Sequence, residues 1–164
     1  MAEAMGTRVH TFYTLDGAFA LRGALDRMKE GQLVVDICEM PIKCPVAPLE
    51  FAFLADYHFR QKGIRDRIEI SLVTPYTGAF TKPNANRVLS RIADAKGIKV
   101  VPNFAISSVD AAKRTIHTFD GRTVDYDLLC AIPPNLGPAV MDDSDLGDGA
   151  GYAVTDPRTL KSRK

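Results

Sequence analysis

Leu33 to Cys38 reads LVVDIC, and that run narrows the choice of fold more than any other stretch of the chain. It is too short for a helix and nearly continuous in apolar, branched residues, whereas a strand with one face in water alternates. A parallel strand covered on both faces has this pattern. Further strands of this kind follow at Arg67 to Thr74 (RIEISLVT), closed by Pro75, and at Ile98 to Phe104. The spacing between them predicts helices. Residues 48 to 62 open with Pro48, tolerated in a first turn, and stop before Gly63. Residues 81 to 96 set Ala85, Val88, Leu89, Ile92 and Ala93 on one face and end at Gly97. Strand, helix, strand, helix, strand is the order of a right-handed parallel α/β unit.

The flanking stretches complete the expectation. Ala18, Leu21, Leu25 and Met28 recur at helical spacing, predicting a helix over 17 to 29 behind an Asp16 cap. Residues 105 to 110, 113 to 119 and 123 to 132 alternate in short pieces. They are separated by a turn at Asp110 to Ala112 and by the hairpin signal Asp120-Gly121. They read as an antiparallel meander whose last strand, Tyr126 to Ile132, turns apolar and returns to the main sheet. The fold expected is therefore α/β: a Rossmann-like three-layer domain with a parallel sheet flanked by helices, plus an antiparallel meander. Helix 48 to 62 carries Leu49, Phe51, Ala52, Phe53, Leu54, Ala55, Tyr57 and Phe59, which is more than one stripe, so both of its sides are expected to be covered. Pro133 to Gly151 shifts to Pro, Gly and Asp and reads as loop or linker. The domain plan is a leading segment at 1 to 8, one domain at 9 to 135, and a linker at 136 to 164, in a chain expected to be a piece of something longer.

At 164 residues, with 46% hydrophobic and 25% charged residues, the chain has room for one ordinary globular domain. Lys plus Arg is 21 against 20 for Asp plus Glu, and a net charge of +1 gives no basic field for nucleic acid. No apolar run reaches the ~20 residues that span a bilayer, and Met1 to Arg8 lacks a signal-peptide pattern. The three cysteines, Cys38, Cys44 and Cys130, are odd in number, with no CxxC and no zinc spacing, so a reducing compartment and no metal are expected. His10, His58 and His117 read as solvated or core histidines. Asp142, Asp143, Asp145 and Asp148 lack the closing glutamate of a calcium loop and read as a solvated linker. Lys62, Arg65 and Arg67 read as an exposed, dipole-complementing helix end.

In an open parallel sheet, ligands meet the carboxyl ends of the strands, which directs attention to the loop between Cys38 and Pro48. A dinucleotide domain would place G-x-G-x-x-G there, and this loop, Glu39 to Ala47, has no glycine. The acidic residue expected at the end of the second strand to hold a ribose is missing as well, because that strand ends Leu72-Val73-Thr74-Pro75. NAD is therefore not expected. A cysteine, Cys44, stands just before a helix, beside Lys43 and between prolines. A helix N-terminus and an ammonium both favour a thiolate, so Cys44 reads as a nucleophile or redox sulfur, or else as a small buried apolar residue. Cys38, at a strand end, and Cys130, inside a strand, read as ordinary buried cysteines.

The loop and helix M-P-I-K-C-P-V-A-P-L-E-F-A-F-L-A-D resemble the cysteine loop of sulfide:quinone oxidoreductases, flavoproteins of the pyridine nucleotide-disulfide oxidoreductase type. T-F-Y-T-L-D-G-A, G-I-R-D-R-I-E-I and V-D-Y-D-L-L-C-A-I-P-P-N-L-G-P extend the resemblance over about residues 9 to 160. It implies the middle domain of such an enzyme, which keeps the fold of an NAD domain but not its use, inserted between two halves of an FAD domain. It further implies that Cys44 lies near the flavin and pairs with a second cysteine from the later FAD half. Sulfide attacks the sulfur bridge between them, the electrons pass to flavin, and quinone receives them. Lys43, Pro45, Pro133 and Pro134 are implied as neighbours of the flavin and sulfur site. The partners implied are the FAD domain of the same longer chain, sulfide and quinone, with no nucleic acid. Membrane contact would come only through carboxyl-terminal segments not in this sequence, and a homo-oligomer is compatible. The location implied is cytoplasmic or peripheral to the cell membrane, and the isolated chain is not expected to be active. Flavocytochrome c sulfide dehydrogenase has a similar proline-flanked cysteine loop, which leaves the acceptor open. Two other readings stand beside this one: an NAD(P)H-dependent flavoprotein reductase domain, and a non-catalytic docking domain.

Overall fold

The computed structural model describes residues 5, 6, 8 to 141 and 143 to 162; most of the leading segment's first seven residues, Asp142 and the last two residues lie outside that description. Five strands form a parallel sheet: β1 (Val9–His10), β2 (Gly31–Ile37), β3 (Ile68–Val73), β4 (Ile98–Val101) and β8 (Leu128–Ile132), in the order β1-β8-β2-β3-β4. The helices α1 (Leu15–Arg27), α2 (Ala47–Gln61) and α3 (Pro83–Ala95) connect them. After β4, the strands β5 (Ile106–Asp110), β6 (Thr115–Thr118) and β7 (Thr123–Asp125) form a separate antiparallel sheet. Its second hairpin turns at Asp120-Gly121, where Gly121 has φ +85°. The chain then returns to the main sheet through β8, as the apolar turn of the sequence at Tyr126 implied.

The near-continuous apolar strands serve two cores at once. Leu33, Val35, Ile37, Ile70, Leu72, Cys130 and Ile132 pack with Leu21, Leu49, Ala52, Phe59 and Ala93 of the helices. Val34, Val73, Leu129 and Ala131 face Phe104, Ile116 and Tyr126 on the side of the meander. Each fully buried branched side chain contributes about 1.5–3 kcal/mol, which explains why β2, central in the sheet, has no polar alternation. Its first residue must be glycine. Gly31 has φ +107°, and a Cβ there would lie 2.2 Å from Asp127 Oδ2, which accepts the Gln32 N–H at 3.0 Å.

Several expectations are corrected. α1 begins at Leu15 and is capped by Thr14, whose Oγ1 accepts the Gly17 N–H at 3.1 Å; Asp16 sits inside the first turn instead. β1 has two residues, too few to leave a periodic trace in the sequence. β4 stops at Val101, because Pro102 has no N–H to donate and Asn103 takes φ +53°. Leu54 and Tyr57 of α2 are 59% and 61% exposed, so the second side of that helix is uncovered in this chain. On α3, Val88 and Ile92 are exposed while Ala93 is buried.

The basic cluster after α2 has a different task from the one read in the sequence. Lys62 Nζ donates to the carbonyls of Leu25 and Asp26, closing the end of α1 rather than of its own helix. Arg65 is largely buried and donates to the carbonyls of Ile68, Lys96 and Gly97 and to Asp56 Oδ1 at 2.7 Å. Asp56 also receives Arg60 and Lys96, each at 3.0 Å, so one buried carboxylate ties α2, the turn before β3 and the end of α3 together.

A second compact unit runs from Pro134 to Lys164. Among its described residues the one helical element is the single turn Ala139–Met141. The unit is held by the Gly137 N–H to the Ala150 carbonyl at 2.8 Å and by Asn135 Nδ2 donating to the Tyr152 hydroxyl at 2.6 Å. Asp148 accepts the N–H groups of Ala150 and Tyr152, a turn-forming use of that carboxylate.

Candidate functional site

β2 delivers the chain to the carboxyl end of the sheet at Ile37, opposite Ile132 of β8, and the Cys38 N–H still donates to the Ile132 carbonyl at 3.2 Å. From there the loop leaves the sheet. Ile42 is buried and pins its middle to the helix-side core, while Lys43, Cys44, Pro45 and Val46 are exposed. α2 starts at Ala47 with Pro48 in its first turn and no side chain capping it. Its leading N–H groups are left to water or to a ligand. Cys44 therefore stands exposed, three residues ahead of a helix N-terminus, where a nucleotide-binding domain would have glycine amides. Pro133 follows β8 directly and is half-buried, beside the point where the loop departs; Pro134 is exposed and begins the second unit.

All three cysteines are thiols, and only Cys44 is exposed. Burial, then the Asp36 carboxylate, pushes both the Cys38 and the Cys130 thiols strongly upward, so neither becomes a thiolate near neutral pH. Iodoacetamide should therefore alkylate Cys44 at least about tenfold faster than the other two. Peptide mass spectrometry reads this directly, and comparable labelling of Cys38 or Cys130 would contradict the placement.

Three groups at or near this end of the sheet escaped the sequence reading. Asp36 lies inside the apolar run LVVDIC and is fully buried. Its Oδ2 accepts from Cys38 Sγ at 3.2 Å while Oδ1 has no partner, and burial lifts its pKa to about 7, against a partial downward pull from Cys38. Tyr13 follows β1 and Tyr76 follows β3, and the hydroxyl of each is buried without a hydrogen-bond partner. The rule that ligands gather at carboxyl strand ends would have singled out both tyrosines, had β1 been recognised.

The nucleotide features stay absent in three dimensions. Where a ribose-binding acid would sit, at the end of β3, Thr74 is buried. Its hydroxyl accepts the Tyr76 N–H at 3.1 Å and its carbonyl the Phe104 N–H at 2.9 Å. An open cavity of about 510 Å³ lies at the opposite, amino end of the sheet, lined by Gly31, Arg67, Glu69, Arg114 and Asp127, away from the cysteine loop. His10 is buried, His58 approaches Asp26 at 3.6 Å, and among the described residues no group of three or more His, Cys, Asp or Glu converges as a metal site.

No protein-family profile matches the chain. It is 32% identical over 130 residues to the mitochondrial sulfide:quinone oxidoreductase of Dictyostelium discoideum, an alignment covering 75% of this chain and 28% of that protein. The chain belongs to the sulfide:quinone oxidoreductase family. The mouse mitochondrial sulfide:quinone oxidoreductase is 27% identical over 147 residues, covering 86% of this chain and 33% of its own length. Among solved structures, the sulfide:quinone oxidoreductase of Aquifex aeolicus superposes with a TM-score of 0.74 at 18% identity, over 97% of this chain and 38% of that one. The chain thus spans about a third of the length of the sulfide:quinone oxidoreductases it matches. Its fold is that of a domain of the Aquifex aeolicus sulfide:quinone oxidoreductase, and the parallel sheet with its separate meander agrees with the architecture expected from the sequence.

Proposed function

We propose that residues 9 to 135 are the middle domain of an FAD-dependent sulfide:quinone oxidoreductase-like enzyme, that residues 136 to 164 lead toward its FAD domain, and that Cys44 is one half of the redox pair. The observation that carries this reading is the placement of Cys44. It is exposed on a proline-flanked loop at the carboxyl end of a central strand, while Cys38 and Cys130 are buried.

The loop fits a sulfur site rather than a nucleotide cradle. It offers no glycine amides for a pyrophosphate, so NAD does not fit, whereas an exposed thiol flanked in the chain by Lys43 and Pro45 suits one face of a flavin. FAD, when bound, supplies the acceptor for an electron pair that quinone then takes on. Cys44 and a cysteine from the rest of the enzyme form a disulfide. Hydrosulfide attacks one of its sulfurs, a new S–S bond forms as the old one breaks, and the electron pair leaves on the other cysteine as a thiolate. Lys43 directly precedes Cys44, and α2 starts three residues later with no side-chain cap. No described helix is long and apolar enough to cross a membrane. On this reading, access to quinone belongs to other parts of the enzyme.

The test is anaerobic flavin reduction in the full-length protein with sulfide and NADH as separate donors. Sulfide is expected to bleach the flavin and NADH to leave it oxidised. Bleaching by NADH alone would overturn the reading in favour of a nicotinamide-dependent reductase.

A further inference from the structure

Two phenols meet at the carboxyl end of the sheet with no structural task that phenylalanine could not perform. Tyr13 and Tyr76 follow β1 and β3, at the end where the cysteine loop leaves β2. Both hydroxyls are buried without a partner, and Tyr76 as a whole is only 8% exposed. An unpaired buried hydroxyl costs about 1–3 kcal/mol, whereas a phenyl ring would fill the same space without that cost. The Tyr13 ring is fixed in place. Phe12 stacks on it with ring centroids 5.1 Å apart, and Phe12 in turn meets Phe51 of α2 at 5.1 Å. So held, the Tyr13 hydroxyl lies beside the Cys44 backbone N–H without meeting hydrogen-bond geometry, within electrostatic reach of the Cys44 sulfur and, more weakly, of Cys130, and Tyr76 is its neighbour.

We infer that Tyr13, backed by Tyr76, is a positioning residue for Cys44, its phenol O–H donating a hydrogen bond to the sulfur anion that forms there. The anion is a thiolate or the terminal sulfur of a persulfide, and the inference rests on the reading of Cys44 as a redox sulfur. The vacant hydroxyl then has the partner that the resting thiol does not provide. Burial, and after it the nearby Cys44 sulfur, raises the Tyr13 pKa against a smaller downward pull from the Cys44 backbone N–H, so the phenol remains protonated and able to donate across the neutral range. An O–H bond to an anion is also stronger than one between neutral groups, which favours the charged form of the sulfur over its neutral form.

The experiment measures iodoacetamide alkylation of Cys44 as a function of pH in the 164-residue chain and in its Tyr13→Phe and Tyr76→Phe variants, with near-ultraviolet circular dichroism confirming the fold. Removing an unpartnered hydroxyl should leave the chain at least as stable as before. In Tyr13→Phe the pH profile should move to higher pH, with about three- to tenfold less reaction at pH 7. Tyr76→Phe should shift it in the same direction by less. A folded Tyr13→Phe chain with an unchanged profile overturns the inference, and so does a change in melting temperature with no change in profile. Neither result depends on the flavin experiment with Cys44→Ser, which by itself decides the redox reading.

Discussion

Asparagine at position 56 should lower the stability of the chain by about 3 kcal/mol at pH 7, the scale expected when one partner of a buried ion pair loses its charge. Asp56 is fully buried, and Arg60, Arg65 and Lys96 converge on it from α2, the turn before β3 and the end of α3. Burial alone would push its pKa up, but hydrogen bonds from Arg60, Lys96 and Arg65 outweigh that and hold it at about 2. A folded value below the unfolded one means the contribution is complete above about pH 4 and is lost as the pH falls toward 2. A shift of that size is worth about 2.6 kcal/mol at neutral pH, falling to roughly half at pH 3. Urea unfolding of wild type and Asp56→Asn at pH 7 and pH 3 should show the gap narrowing in acid. An equal gap at both pH values would contradict the network. Replacing Lys96 alone should cost less, because its side chain is 35% exposed and Asp56 keeps two cations.

Asp36 behaves in the opposite sense. Its pKa is lifted to about 7 by burial, so the folded state favours the neutral acid. The advantage of that protonated form is present below about pH 4, where folded and unfolded chains both hold the proton, and is lost as the pH rises through 7. At pH 8 the wild-type chain carries a buried carboxylate with one oxygen unpartnered. Asp36→Asn, close in shape to the neutral acid and still able to accept from Cys38, should therefore be about 4 kcal/mol more stable than wild type at pH 8. Near pH 4 the two should unfold at similar urea concentrations. A variant less stable than wild type at pH 8 would show that the carboxylate has a compensating partner.

What the sequence showed, and what it hid, follows from the range of each cause. β2, β3 and the helices between them were legible because burial imprints a period on a few consecutive residues. The cysteine loop was legible because the carboxyl end of a parallel strand is a fixed place in this architecture, whatever the loop contains. The Asp56 hub left only part of itself in the local sequence: Arg60 lies one helical turn from Asp56 and Arg65 a short way beyond, but Lys96 is distant in the chain and becomes a neighbour only when α2 and α3 lie on the same face of the sheet. Asp36 was hidden inside an apolar run that reads as buried strand, which it is. Thr14 lost to Asp16 as the expected cap because both residue types cap well and only the backbone decides which stands at the boundary. Tyr13 and Tyr76 could not be joined to Cys44 without β1, a strand of two residues identified by its pairing with β8.

Anaerobic reduction of the flavin by sulfide in the full-length protein, wild type against Cys44→Ser, tests the role of the Cys44 sulfur most directly. Serine keeps the size of the side chain but cannot form the disulfide that hydrosulfide attacks. Sulfide should bleach the wild-type flavin rapidly and leave the variant oxidised, with the rate reduced by about three orders of magnitude or more, as for loss of a covalent nucleophile. A Cys44→Ser protein reduced by sulfide as fast as wild type would contradict the account.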